Sequence, residues 1–257
     1  MHKTAVWLLG FMAFSGASAQ ERLVYDFESK TPKPQLSNAE YGLVSRLANT
    51  AFKQAAWYKI FGDEYSPLSG TSCPEFRVMG KAKGSFTQQK TEQIAYLYNC
   101  FHGGMSAAQG IVIAQNGKAT AHYTFAGQMF NLYSVRDINR NGYSELALEG
   151  SYGDGGGGAA LELGIAEFKP QRRYLAYFGI DTNMTVYAQK LDYSQNAPCP
   201  FPTWQGRNIW VTPGATPQFR SQLLGGGCDG ETVTWRSDKR VPLTVRPLPT
   251  DWNPGPL

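Results

Sequence analysis

The chain has 257 residues, 42% of them hydrophobic and 13% aromatic, a composition that excludes wholesale disorder. Only 17% are charged, the formal net charge is +4 and the basic residues are scattered, so no dense stripe points to nucleic acid or an anionic membrane. With 28 glycines and 15 prolines, turns and short strands are favoured over long helices, and no stretch is apolar for long enough to span a bilayer as a helix.

Residues 1–19 read as a signal peptide. Met1-His2-Lys3 is a short positive start, Ala5 to Phe14 an apolar core, and Ala17-x-Ala19 a small-residue cleavage pattern before Gln20. An N-terminal anchor is the alternative, but that apolar core is short for a span. The expected location is therefore secreted or periplasmic. In residues 20–69, an extended lead-in through Pro32 and Pro34 precedes a capping box, Ser37-Asn38-Ala39-Glu40. Val44, Leu47, Ala48, Ala51, Phe52, Ala55 and Tyr58 then recur at three- and four-residue spacing. They predict a long amphipathic helix reaching about Phe61 and Gly62, its stripe packed on the main body.

Residues 70–192 turn to strand and turn. Runs rich in β-branched and aromatic residues fall at Glu75–Met79, Gln93–Cys100, Gly110–Gln115, Lys118–Phe125, Phe130–Arg136, Glu145–Leu148, Ala159–Phe168, Tyr174–Phe178 and Thr185–Leu191. Asn116-Gly117 between two of them is a strong hairpin signal. Residues 193–241 add strands at Asn208–Thr212 and Thr232–Arg236, and 242–257 form a proline-rich tail. The four cysteines, Cys73, Cys100, Cys199 and Cys228, read as two disulfides in an exported chain. Three connectivities exist; the spacing favours Cys73–Cys100 and Cys199–Cys228, each bracketing a local group of strands. A zinc site is the rival, without a C-x-x-C to support it.

The stretch Asp137-Ile138-Asn139-Arg140-Asn141-Gly142-Tyr143-Ser144-Glu145 carries the chemistry. Oxygen side chains stand at its positions 1, 3, 5 and 9, with Gly142 at the turn and a carbonyl near position 7, a donor set suited to calcium. It is not an EF-hand, because Leu148 stands where a bidentate Glu would be needed. The alternative is an Asx-type hairpin turn that holds no metal.

This loop, running straight into Leu146-Ala147-Leu148, resembles the FG-GAP and VCBS repeats of integrin-type propeller blades and exported bacterial proteins. The resemblance implies Asp137, Asn139, Asn141 and Glu145 as side-chain ligands and Tyr143 as a carbonyl ligand. The family more often has Asp where this chain has Asn141, and two anionic ligands imply an affinity of only ~10⁻⁴–10⁻³ M. An eroded copy lies 52 residues earlier, with Ser85, Thr87, Gln89, Lys90 and Gln93 in place of the ligands and turn glycine, and Ile94-Ala95-Tyr96 in place of the apolar triplet. Four blades at that period would need about 210 residues, more than the roughly 190 from Gly70 onward. The expected fold is mainly β, with propeller-blade-like antiparallel sheets that do not form a full closed ring, and one long N-terminal α-helix.

Glycine runs at Gly153–Gly158 and Gly225–Gly230 fit G-x-G-x-x-G by coincidence, outside any strand–loop–helix unit. His102 and His122 have no G-x-S-x-G elbow or paired carboxylates to work with, and Trp204, Trp210, Trp235 and Trp252 read as core before a carbohydrate-stacking face. The sequence thus points to an exported, calcium-stabilised, non-catalytic binding or structural module, whose partner is an extracellular protein or glycan. The alternative is a secreted hydrolase acting on a polymer such as glycan. A pocket joining His102 or His122 to two carboxylates would favour the enzyme.

Overall fold

The computed structural model describes residues 20–29, 33–54, 72–103, 106–153, 159–169, 173–179, 204–226 and 233–245. The signal peptide, Cys199, Cys228, the strand expected at Thr185–Leu191, Trp252, most of both glycine runs and the tail beyond Val245 lie outside these residues, as does the side chain of His102.

One helix, α1 (Asn38–Gln54), and thirteen strands are described: β1 (Arg22–Tyr25), β2 (Arg77–Gly84), β3 (Gln93–Gly103), β4 (Ser106–Gln115), β5 (Lys118–Gly127), β6 (Met129–Val135), β7 (Glu145–Gly153), β8 (Ala159–Glu167), β9 (Arg173–Gly179), β10 (Trp204–Thr212), β11 (Gln218–Gly226), β12 (Val233–Arg236) and β13 (Val241–Pro242). All strand pairs are antiparallel, and none of the three sheets closes on itself. The first sheet is the meander β2-β3-β4-β5 and the second β6-β7-β8-β9. The third has the order β1-β10-β11-β12, with β13 beside β11. Residues 20–25 thus do more than lead in, since β1 forms an edge strand beside β10.

The two meanders are built alike. In the first, Ile94 pairs with Ala114 and Ala95 with Ile113; in the second, Leu146 pairs with Ala166 and Ala147 with Ile165, so the central register repeats at an interval of 52 residues. Asn116 and Gly117 both have positive φ, 50° and 73°, as a two-residue turn between right-twisted strands requires.

The elements stack in layers. Alternation along β3 and β4 sends Ala95, Leu97, Ile111 and Ile113 toward the second sheet, where they meet Leu132, Leu146, Leu148 and Tyr177. Tyr96, Tyr98, Val112 and Ala114 point the other way, onto the helix residues Val44, Ala48 and Phe52. The second sheet uses its opposite face, through Val135, Leu163, Ile165 and Phe178, to cover Ile209, Val211 and Phe219 of the third. Central strands are therefore buried on both faces, which is why they read as continuous apolar runs. The first two sheets approach closely at Gly80, where a Cβ would lie 2.6 Å from that of Leu132. Gln109 stitches the same join, its side-chain amide pairing with both backbone groups of Met129 at 2.7 and 2.8 Å.

The helix begins as its sequence dictates. The Ser37 amide donates to Glu40 at 2.8 Å, and the Glu40 amide donates to Ser37 Oγ at 3.3 Å. Glu40 also accepts from the Tyr96 hydroxyl and pairs with Lys81, both at 2.7 Å, which docks the cap on the first sheet. Burial opposes its ionisation, but these partners together hold its carboxyl down at about 2. The helix spans 17 residues and its described end is Gln54, so the expected extension to Phe61 falls in 55–71, outside the described residues. Among those described, no helix is long and apolar enough to cross a membrane. Cys73 and Cys100 form a disulfide, as expected, with Cα atoms 4.9 Å apart.

Candidate metal centre

The loop between β6 and β7 is ordered by its own oxygens. Asp137 accepts the amides of Asn141, on Oδ1, and Gly142, on Oδ2, both at 2.9 Å. Asn139 Oδ1 also accepts the Asn141 amide, at 3.2 Å, and Asn141 Oδ1 accepts that of Tyr143, at 3.0 Å. Each of these oxygens keeps lone-pair capacity beyond its backbone bonds. Arg140 and Gly142 take positive φ, 60° and 87°.

Glu145, at the start of β7, is fully buried. Its Oε2 accepts the Ile138 amide at 3.1 Å, while Oε1 has no hydrogen-bond partner. Burial pushes this carboxyl up to about 7, and the charges of Asp137 and Glu167 push it in the same direction. Glu167 was not singled out from sequence. Because Leu146 pairs with Ala166, the same ladder carried one step further sets Glu145 opposite Glu167. Two carboxylates facing each other across a sheet repel, and the repulsion grows when both are dry.

The surroundings soften that conflict only in part. Glu167 is fully buried; Oε1 pairs with Arg173 Nε, and Oε2 accepts the side-chain amides of Asn139 at 2.7 Å and Asn141 at 2.8 Å. Arg22 of β1 donates to the Asp137 carbonyl at 3.1 Å. Burial lowers the Arg22 pKa, against the pull of Glu145 and Asp137.

The loop between β2 and β3, 52 residues earlier, shows what the same register does without acids at the equivalent positions. Lys90 has φ 55° at the position equivalent to Gly142, so the turn is kept. Gln93 stands where Glu145 does and is satisfied at both ends: Oε1 accepts the Thr87 amide at 2.7 Å, and Nε2 donates to the hydroxyls of Thr87 at 2.7 Å and Thr120 at 3.3 Å. The position equivalent to Glu167 is Gln115. The two loops are also joined. The Ser144 amide donates to the Ser85 carbonyl at 3.0 Å, the Ser85 amide to Ser144 Oγ at 3.1 Å, and Gln89 Nε2 to the Asn141 carbonyl at 2.7 Å.

The expected ligand set is thus gathered in one loop, with Tyr143 contributing its amide to Asn141, and the disulfide cysteines Cys73 and Cys100 lie elsewhere, beside the helix. Among the described residues no three His, Cys, Asp or Glu side chains converge as a metal centre. The loop offers two carboxylates and two amides instead. Sequence reasoning missed Glu167 and Arg22, and the brace that Gln89 gives to this loop, because each belongs to another strand or loop. The 52-residue offset, applied to Gln115, was the one signal that could have found Glu167.

His122, on the edge strand β5, lies 2.8 Å from the Tyr98 hydroxyl through Nε2, and burial lowers its pKa. Trp210, in β10, carries the Arg240 guanidinium 4.0 Å from its ring. No protein-family model matches the chain, and no curated protein matches it.

Proposed function

We propose that the chain is an exported, non-catalytic binding or structural module of the cell surface or periplasm, built of propeller-blade-like sheets, whose β6–β7 loop holds calcium. The observation that carries this reading is Glu145 Oε1, a buried acceptor without a partner, beside a second buried carboxylate. Its counterpart Gln93 has a nitrogen that donates to two hydroxyls. A hard cation supplies the positive charge that Glu145 lacks, and the oxygens of Asp137, Asn139, Asn141 and Glu145 would hold it, with the Tyr143 carbonyl. The loop amides keep these oxygens in place and Gln89 braces the loop from its neighbour.

Export is supported by the cleavage pattern before Gln20 and by the Cys73–Cys100 bridge, a bond of oxidising compartments. The partner class is an extracellular protein or glycan. Millimolar calcium should raise the melting temperature of the wild type by several degrees and leave that of Asp137→Ala unmoved. Superimposed wild-type curves in calcium and in EDTA would refute the metal.

A further inference from the structure

We propose that Glu167 is the positioning residue of this loop: by accepting the Nδ2 hydrogens of both asparagines it turns their Oδ1 atoms to the cation side and returns the negative charge that they lack. The inference rests on the cation reading above.

An asparagine amide can sit either way round, and its hydrogen-bond partners decide which face presents oxygen. Here one acceptor decides for two residues. Glu167 Oε2 takes Nδ2 of Asn139 and of Asn141, while both Oδ1 atoms meet amides of the loop itself. Arg173 holds the other oxygen, so the carboxylate is clamped at both ends. Flipping either amide would set its oxygen against a buried carboxylate with no hydrogen between them.

The same geometry explains why positions 3 and 5 of the loop are asparagines. Asp at either place would confront Glu167 with a like charge. The acid stands on the neighbouring strand instead of in the loop, and the equivalents of Asp137, Glu145 and Glu167 in the other loop region are the neutral Ser85, Gln93 and Gln115. The acids are present together in one region and absent together in the other. Buried and unpartnered Glu145 Oε1 is the independent sign that the loop, with Glu167 behind its asparagines, addresses a cation.

The test titrates calcium chloride into chelator-stripped full-length mature protein by calorimetry, with circular dichroism in EDTA as the control for folding. Glu167→Gln should weaken calcium binding about ten- to hundredfold, the usual cost of losing a group that orients ligands. The triple variant Asn139→Asp, Asn141→Asp, Glu167→Gln restores every polarity, since the Gln nitrogen can donate one hydrogen to each carboxylate while its oxygen still accepts from Arg173. It should bind calcium at least to within threefold of wild type. If Glu167→Gln does not fold, the triple variant carries the test alone: near wild-type or tighter binding supports the inference and absent binding overturns it. Unchanged calcium binding by Glu167→Gln overturns the inference and leaves the cation reading intact. Loss in the single variant without recovery in the triple assigns Glu167 a merely structural role and also overturns it. A wild type with no saturable calcium binding removes the cation reading itself.

Discussion

Replacing both Cys73 and Cys100 by alanine is expected to lower the free energy of unfolding by about 3–4 kcal/mol. The bridge closes a loop with a separation of 27 residues, and the chain-entropy model assigns a loop of that size about 3.5 kcal/mol of unfolded-state constraint. Its native surroundings add to the loss. Cys100 packs in the core shared by α1 and the first sheet. The Cys73 amide donates to Asn49 Oδ1 of the helix at 2.8 Å, and the Glu75 amide to the Cys100 carbonyl at 2.9 Å. The bridge therefore anchors the segment entering β2 against both helix and sheet. Urea denaturation followed by tryptophan fluorescence measures the difference; a loss below 1 kcal/mol would show that the helix docks without the bond.

The second large effect concerns Glu145→Gln in calcium-free buffer, where the variant should be more stable than the wild type at pH 8, by about 1–3 kcal/mol. The wild-type carboxyl sits fully buried opposite Glu167, and its pKa is raised from 4.5 to about 7. The native state thus holds a proton that the unfolded chain has given up, and stability falls as pH rises from about 4.5 through about 7. A shift of that size corresponds to about 3 kcal/mol at most. Gln carries no such burden, so the advantage of the variant should vanish below about pH 4.5. In millimolar calcium the gap should narrow by about 0.4–1.4 kcal/mol, because only the wild type gains from binding at that affinity. A variant less stable than wild type at pH 8 in EDTA would mean that Oε1 has a stabilising partner without the ion.

Much of this molecule is legible along the chain. The strand runs in residues 70–192 overlap the observed strands wherever those are described, with ends that differ by up to five residues, because their central members are buried on both sides and their turns carry explicit chemistry, Asn116-Gly117 above all. The capping box also announced the start of the helix. What was not legible is non-local. The strand β1 is four residues whose ladder partner among the described residues lies near residue 210. In β11 the inward face alternates Phe219 with buried Ser221, which breaks the apolar signal. At the β6–β7 loop, spacing exposed the residues that share one turn of chain. The fold adds Glu167 through sheet register and Gln89 through loop-to-loop packing, neither of which any local pattern encodes.

An amide NMR titration of the mature protein with calcium chloride decides whether a divalent ion sits inside the β6–β7 loop. Binding there should give saturable shifts confined to residues 137–145 and their neighbours Gln89 and Glu167, with a midpoint of ~10⁻⁴–10⁻³ M, and none in Asp137→Ala. Spectra that do not change through 10-fold above that range, about 10⁻² M calcium, or shifts that saturate elsewhere on the sheets, would contradict it.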